Sequence, residues 1–154
     1  MAKTVADVMT PNPVSVGPTT VLKEAIQLMA DRHIGGLPVI DEAQQLVGIL
    51  SESDLMWQAT GVDMPAYILL LDSVIYLKNP NQYTQEIHKA LGQLVSDVMT
   101  ARVITIGPGK SLREAAHLMH EKRIRRLPVV DDQGQLVGML TRGDIVREMA
   151  QSYD

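Results

Sequence analysis

Two kinds of apolar spacing alternate along this chain. In "TTVLKEAIQLMADRHI", residues 19–34, Val21, Ala25, Leu28 and Met29 recur three and four positions apart, the spacing that lines one face of a helix. Thr19 or Thr20 stands where an N-cap is needed. Beyond it, "LPVID" at 37–41 and "QLVGIL" at 45–50 are short β-branched runs separated by the polar "EAQ", a spacing that suits a hairpin. Ahead of the helix, "NPVSVGP" at 12–18 is a β-prone run closed by Gly17-Pro18, a pair that stops a strand. A second helix is predicted to begin near Ser51-Glu52-Ser53-Asp54. The predicted order is strand, helix, strand, strand, helix.

The same pattern then occurs again. Shifting the chain against itself by 90 positions aligns Val5–Leu55 with Val95–Ile145 without a gap, and about 23 of the 51 pairs are identical. Two unrelated segments do not agree to this extent. In the second copy Leu112, Ala115, Leu118 and Met119 form the helical stripe, and Ser111 with Glu114 three residues on makes a capping box. Two copies are too few for a solenoid, so a pseudo-symmetric pair packed face to face is expected. The predicted fold class is α/β (α+β), with one domain over 1–60, a helical insert over 61–94 and a second domain over 95–154.

Residues 56–94 have no counterpart in the repeat. Ala66–Leu77 is strongly apolar and broken only by Asp72; it falls short of the roughly 20 residues that span a bilayer, so membrane insertion is not expected. As a helix it would be apolar nearly all round, with Ile68, Leu69, Asp72, Ile75 and Tyr76 near one face and Leu70, Leu71, Val74 and Leu77 on others. Such a helix is buried. After a turn at "NPNQY", "TQEIHKALGQLVSDVM" starts another helix leading into the second copy. The insert is read as a helical bridge that offers a homodimer contact, against the alternative of packing within the chain alone.

Composition narrows the chemistry. The 154 residues are 45% hydrophobic and 21% charged, with no Cys, no Phe and one Trp. The core must therefore come from Leu, Val, Ile, Met and Ala. Disulfides, thiolate metal sites and a Cys nucleophile are excluded, which fits a reducing cytoplasm. "MAKTVADVMTPNP" has no apolar run of signal-peptide length. Net charge is −4, but residues 1–77 carry 3 basic and 9 acidic side chains whereas 78–154 carry 11 and 9. The second copy wants positive charge.

Much of that charge sits beside a site-like pattern. In "GMLTRGD", 138–144, a strand ends in a hydroxyl residue and an acid follows three positions later, in the first turn of a helix; "GILSESD", 48–54, is its counterpart. Such a junction presents unpaired N–H groups and the positive end of a dipole. An ionised Asp there offers only acceptors, which suit the two hydroxyls of a vicinal diol. The plainer reading makes Ser51 and Thr141 N-caps with Asp54 and Asp144 in support. Arg125 and Arg126 stand where the first copy has Gly35 and Gly36, and guanidinium groups suit phosphate. Arg123 and Arg142 add to the field, although strand side chains alternate and not all four can face one ligand.

The ordered motifs V-M-T at 8–10 and 98–100, G-G-L-P-V-I-D at 35–41, R-R-L-P-V-V-D at 125–131, and the two Asp-ended heptads above resemble the CBS (cystathionine β-synthase) domain. The chain as a whole resembles a stand-alone tandem pair, or Bateman module. The resemblance implies an adenine nucleotide (AMP, ADP or ATP, the last with or without Mg) in the cleft between the repeats. It places Asp54, Asp144, Ser51 and Thr141 at the ribose and phosphate. Arg125, Arg126 and Arg142 would reach phosphate, Ser15, Val16, Thr105 and Ile106 would lie near the base, Gly36 would allow close backbone approach, and Leu37, Pro38, Leu127 and Pro128 would offer apolar contact and backbone groups to an adenine.

The expected function is therefore a non-enzymatic, energy-sensing regulatory module, homodimeric and cytoplasmic, that signals nucleotide binding to an unknown regulated protein. The alternative is a constitutive interaction scaffold that binds no nucleotide. Nucleic-acid binding through the basic run at 122–126 is disfavoured by the run's shortness, the lack of aromatics and the acidic total. His117 and His120 have a chelating spacing but no third ligand nearby in sequence, and they read as polar-face residues. No G-x-S-x-G elbow brings Ser, His and Asp together, so neither a catalytic residue nor a catalytic cofactor is expected.

Overall fold

The computed structural model describes residues 3–58 and 93–152. In chain order the elements are α1 (Val5–Val8), β1 (Thr10–Pro11), α2 (Leu22–Arg32), β2 (Gly36–Ile40), β3 (Leu46–Ser51), α3 (Glu52–Gln58), α4 (Val95–Val98), α5 (Leu112–Lys122), β4 (Arg126–Val130), β5 (Leu136–Thr141) and α6 (Arg142–Ser152). The mixed α/β class is present, and both repeats show the helix–strand–strand–helix order; the strand expected ahead of each first helix is reduced to a single bridge, at Val16 and at Ile106. The apolar stretch Ala66–Leu77 and the helices expected around it lie outside the described residues.

Contacts divide the chain into two units that do not follow the linear repeats. One comprises Met1–Val14, Glu42–Leu46 and Arg102–Asp154; the other comprises Ser15–Asp41 and Val47–Ala101. Each unit takes most of one repeat and the V-M-T segment that precedes the other. This exchange is invisible to a reading that cuts the chain at its repeats.

In the unit built on the second repeat, β4 pairs antiparallel with β5 in the register Arg126↔Thr141, Leu127↔Leu140 and Pro128↔Met139. The exchanged strand β1 adds to the far side of β5, with Thr10 opposite Met139 and Pro11 opposite Gly138. On the other edge Ile106 forms a parallel bridge with Val129. Leu127, Val129 and Leu140 face Leu112, Ala115 and Met119 of α5, together with Ile145 of α6 and Val5 of α1, in one buried cluster. The Val5 side chain, contributed by the exchanged segment, is fully buried.

The other unit repeats this plan. β2 pairs with β3, Val16 bridges Val39 in parallel, and Thr100 bridges Ile49 antiparallel. Leu22, Ala25, Ile26 and Met29 of α2 are buried with Leu37, Val39, Leu50, Leu55, Val95 and Val98. The stripe is thus Leu22-Ala25-Ile26-Met29, and not the expected Val21-Ala25-Leu28-Met29. Val21 lies outside the helix as its N-cap and is 37% exposed, because the helix starts one residue later than the cap residues implied.

The caps explain that shift. Ser111 caps α5 as expected: its hydroxyl accepts from Glu114 N at 3.1 Å, and Glu114 Oε2 accepts from Ser111 N at 3.2 Å. Thr20, by contrast, accepts from Gly17 N at 3.0 Å and caps nothing. Ser111→Ala is expected to lower stability by about 1 kcal/mol, whereas removing the Thr20 hydroxyl should not uncap α2; urea midpoints of the two variants check this. Both α2 and α5 end in a left-handed residue, His33 at φ 52° and Arg123 at φ 55°, which turns the chain sharply into the following strand.

The exchanged segments have their own fastenings. Thr4 donates from its N–H and hydroxyl to Asp7 Oδ2 at 2.8 and 3.0 Å, and these bonds hold the Asp7 carboxyl below the usual carboxylate range, the backbone one first. Leu94 N makes the equivalent bond to Asp97 at 2.9 Å. The Asp of each V-x-D-V-M-T motif is therefore a local brace. Lys3 Nζ reaches Glu148 Oε1 at 2.6 Å and ties the N-terminal segment to α6.

Candidate functional site

In both repeats the backbone brings the sequence-predicted residues of one half-site together. Val16 N donates to Pro38 O at 3.1 Å and Ile40 N to Val16 O at 2.9 Å; Ile106 N donates to Pro128 O at 3.1 Å and Val130 N to Ile106 O at 3.0 Å. Ser15 and Thr105, the residues just before these bridges, are half-buried. At the other end of the same strands, Glu52 N donates to Gly35 O at 3.1 Å and Arg142 N to Arg125 O at 3.0 Å. The junction that opens α3 thus lies beside the entry to β2, and the one that opens α6 beside the entry to β4.

Some expected contacts are differently employed. The side chains of Leu37 and Leu127 are fully withdrawn into the cores, and those of Val16 and Ile106 nearly so. These four support the strands by packing and do not offer apolar surface to a ligand. Pro38 and Pro128 are also buried; each lacks an N–H, and each carbonyl is already taken by the neighbouring bridge. Of this group only Gly36, Ser15 and Thr105 remain half-buried.

Asp54 and Asp144 occupy the centre of the two junctions. Asp54 Oδ2 accepts from Ser51 N at 2.9 Å and from the Ser51 hydroxyl at 3.1 Å, and Asp54 N donates back to Ser51 Oγ at 3.3 Å. Asp144 Oδ2 accepts from Thr141 N at 2.9 Å, and Asp144 N donates to Thr141 Oγ1 at 3.2 Å. The reciprocal pairs are capping boxes, so the plainer reading of these residues holds as far as it goes. It does not use all of either carboxylate.

What the second oxygen does differs between the repeats. Asp54 Oδ1 accepts from the Thr100 hydroxyl at 2.6 Å, a residue of the exchanged segment. Asp144 Oδ1 pairs with Arg147 Nη2 at 2.5 Å, and the Asp144 side chain is only 11% exposed while that of Arg147 is 70% exposed. An ionised carboxylate has about four acceptor positions; the bonds above leave about one on Asp54 and two on Asp144. Asp144 is thus sheltered from bulk water and keeps acceptor positions that its bonds to Thr141 and Arg147 leave unused. Neither Thr100 nor Arg147 was singled out in the sequence. Thr100 sits in the V-M-T motif, but its partner 46 positions away is set by the exchange.

The arginines separate. Arg125, Arg123 and Arg142 line an open pocket of about 560 Å³ with His120 and Glu121 of α5. Arg126 does not line it. Arg126 is the first residue of β4, opposite Thr141, and adjacent strand positions face opposite sides. Arg125, which precedes the strand, lines the pocket, and its neighbour Arg126 does not. His117, three positions from His120, is exposed and lies with Nε2 3.6 Å from Glu121 Oε2. Among the described residues no cluster of three His, Cys, Asp or Glu side chains can hold a metal, and no helix is long and apolar enough to cross a membrane.

A two-fold repeated unit in which a hydroxyl-Asp box opens the helix after a hairpin defines a class. The CBS domain family model matches residues 5–59 and 95–151, and the chain belongs to that family. It is 38% identical over 152 residues to the CBS domain-containing protein CBSX2, chloroplastic, of Arabidopsis thaliana, covering 96% of this chain and 64% of that protein. It is 34% identical over 135 residues to protein MJ1426 of Methanocaldococcus jannaschii, covering 83% and 80%. The crystal structure of CBSX2 in complex with AMP matches with a TM-score of 0.72 at 37% identity over 98% of both chains. The chain spans just under two thirds of the full CBSX2 protein.

Proposed function

We propose that this protein is a non-catalytic regulatory module that binds an adenine nucleotide at the strand-to-helix junctions of its repeats and passes the bound state to a partner. The observation that carries this reading is Asp144, nearly buried at the opening of α6, with acceptor positions left after its capping bonds. Its proposed role is to take the ribose hydroxyls, with Thr141 beside it. Asp54 and Ser51 have the same proposed role in the first repeat. Arg125 and Arg142, which line one pocket, supply charge for phosphate in the second, and Arg126, outside that pocket, does not join them. The AMP complex of CBSX2 supports the ligand class.

Signalling to a partner requires a ligand that distinguishes two states of the protein, since equal affinity for both shifts nothing. A homodimer is part of the proposal, supported by the apolar groove of about 430 Å³ lined by Leu112, Ala116, Ile145 and Met149 beside the exposed Val146. The cytoplasm is the proposed compartment, on the absence of cysteine, although CBSX2 is named as chloroplastic. Magnesium enters only as the companion of a triphosphate.

A thermal-shift panel of AMP, ADP, ATP, S-adenosylmethionine and cyclic dinucleotides tests the reading. A ligand selective for the folded state at a hundred times its Kd adds about 2.7 kcal/mol to stability, so adenine nucleotides should raise Tm clearly, without turnover on long incubation. If none does, the interaction-scaffold reading stands. That alternative draws support from the first repeat, where Gly35 and Gly36 replace the arginine pair.

A further inference from the structure

With no cysteine in the chain, reversible oxidation of a side chain falls to methionine sulfur. The described methionines fall into three groups. Met29, Met119 and Met139 are buried, and Met56 and Met149 are exposed. Met9 and Met99 stand between, each half-buried. They are equivalent residues, the methionine of each exchanged V-M-T motif.

Both sulfurs rest where the strand below has no side chain. The Met9 sulfur, with its Cγ and Cε, lies in the space that a Cβ at Gly138 would take, and the Met99 sulfur and Cγ lie in that of Gly48. A thioether suits such a place because it is apolar and deformable. The backbone beside it is closely paired. Thr100 N donates to Ile49 O and Ile49 N to Thr100 O, both at 2.9 Å, and the Thr100 hydroxyl donates to Asp54 Oδ1 at 2.6 Å. In the other segment Thr10 lies opposite Met139 and Pro11 opposite Gly138. An atom added to either sulfur therefore enters the seam between an exchanged segment and its strand.

We infer that Met9 and Met99 are oxidation sites through which a hydroperoxide loosens the exchanged segments. A sulfur lone pair attacks the outer oxygen of the peroxide, the O–O bond breaks and an S–O bond forms. The sulfur gives up two electrons, and the departing hydroxide takes the proton of the transferred oxygen and leaves as water. The product sulfoxide is polar, and its oxygen pressed against the strand without a donor is costly to bury. Room is scarcest at Gly48, where the Thr100 carbonyl also stands 3.0 Å from the Cβ position. The segment must lift, and at Met99 the bond from Thr100 to Asp54 goes with it. Asp144 pairs with Arg147 of its own helix, so oxidation of Met9 leaves that carboxylate in place. The buried methionines are shielded, and the exposed ones sit on α3 and α6 rather than on the exchanged segments. A sulfoxide reductase would reverse the step. Nothing in it requires a nucleotide.

The test treats the full chain with graded hydrogen peroxide, maps sulfoxide by peptide mass spectrometry, and follows urea midpoints and amide exchange. Met56 and Met149 should oxidise first, with little change in midpoint. Met9 and Met99 should follow, ahead of Met29, Met119 and Met139, and lower the midpoint by roughly 0.5 M or more. Once Met99 is oxidised, the Ile49 and Thr100 amides should exchange roughly tenfold faster, and sulfoxide reductase should restore both readouts. Met99→Leu keeps an apolar side chain of similar volume that peroxide does not alter, so its Ile49 and Thr100 amides should stay protected. Should Leu not fit over the glycine, the wild-type time course decides alone. Sulfoxide at Met9 and Met99 with midpoint and amide exchange unchanged overturns the inference. So does a loss of stability that tracks Met56 or Met149, or a Met9 and Met99 pair that oxidises only together with the buried three.

Discussion

Asp144→Ala should weaken AMP binding by about 1–3 kcal/mol, through loss of charge-assisted hydrogen bonds to the ribose. The same change removes the capping partner of Thr141 N, so Tm should fall as well, by an amount near that of a lost cap, about 1 kcal/mol. The two effects separate in a single variant. Calorimetry reports the binding loss below the melting transition, and denaturation reports the cap. An AMP affinity that stays at its wild-type value while Tm drops would reduce Asp144 to a helix cap. Asp144→Asn sharpens the comparison, because it retains one oxygen for Thr141 N but loses the charge. Asp54→Ala should cost less binding, since fewer of its acceptor positions remain after Ser51 and Thr100.

The second large effect is on stability. Gly48 and Gly138 are equivalent positions on β3 and β5, and each lies under the methionine of an exchanged V-M-T motif. A Cβ at 138 would stand 2.2 Å from Met9 Sδ, and one at 48 would stand 2.5 Å from Met99 Sδ and 3.0 Å from the Thr100 carbonyl. A methionine tail can move aside, at the loss of its packing. The Thr100 carbonyl cannot, because it accepts from Ile49 N at 2.9 Å and holds the exchanged segment to the strand. Gly48→Ala is therefore expected to cost about 1–3 kcal/mol as overpacking, and Gly138→Ala less. Urea unfolding of both variants checks the order. Equal and negligible losses would mean that the methionine contact does not fasten either segment.

These two experiments bear on one design. Asp54 meets the exchanged segment through Thr100, and Gly48 meets it through Met99 and Thr100. The first repeat's half-site and the seam of the exchange are thus adjacent in the same unit. In the second repeat the carboxylate pairs instead with Arg147 of its own helix, where the first repeat has Trp57. A change that loosens α4 from β3 should then disturb Asp54 while leaving Asp144 in place.

Much of the local structure was readable from side-chain order alone. The repeat, the hairpins, the Ser111–Glu114 box and the hydroxyl-Asp junctions depend on residues within a few positions of one another, so their chemistry is written contiguously. The start of α2 was misread for a reason of the same scale. Two threonines compete for the cap, and the hydroxyl of Thr20 prefers Gly17 N.

What the sequence by itself determined was a tandem α/β pair with an acid at each strand-to-helix junction and an excess of arginine in the second copy. Only the tertiary structure decided that each V-M-T segment packs on the other repeat, that Thr100 meets Asp54, and that Arg125 lines the charged pocket while Arg126 does not. These outcomes rest on contacts between residues far apart in the chain. Such contacts leave no local signature, because the two repeats carry nearly the same V-M-T motif and either strand can accept it.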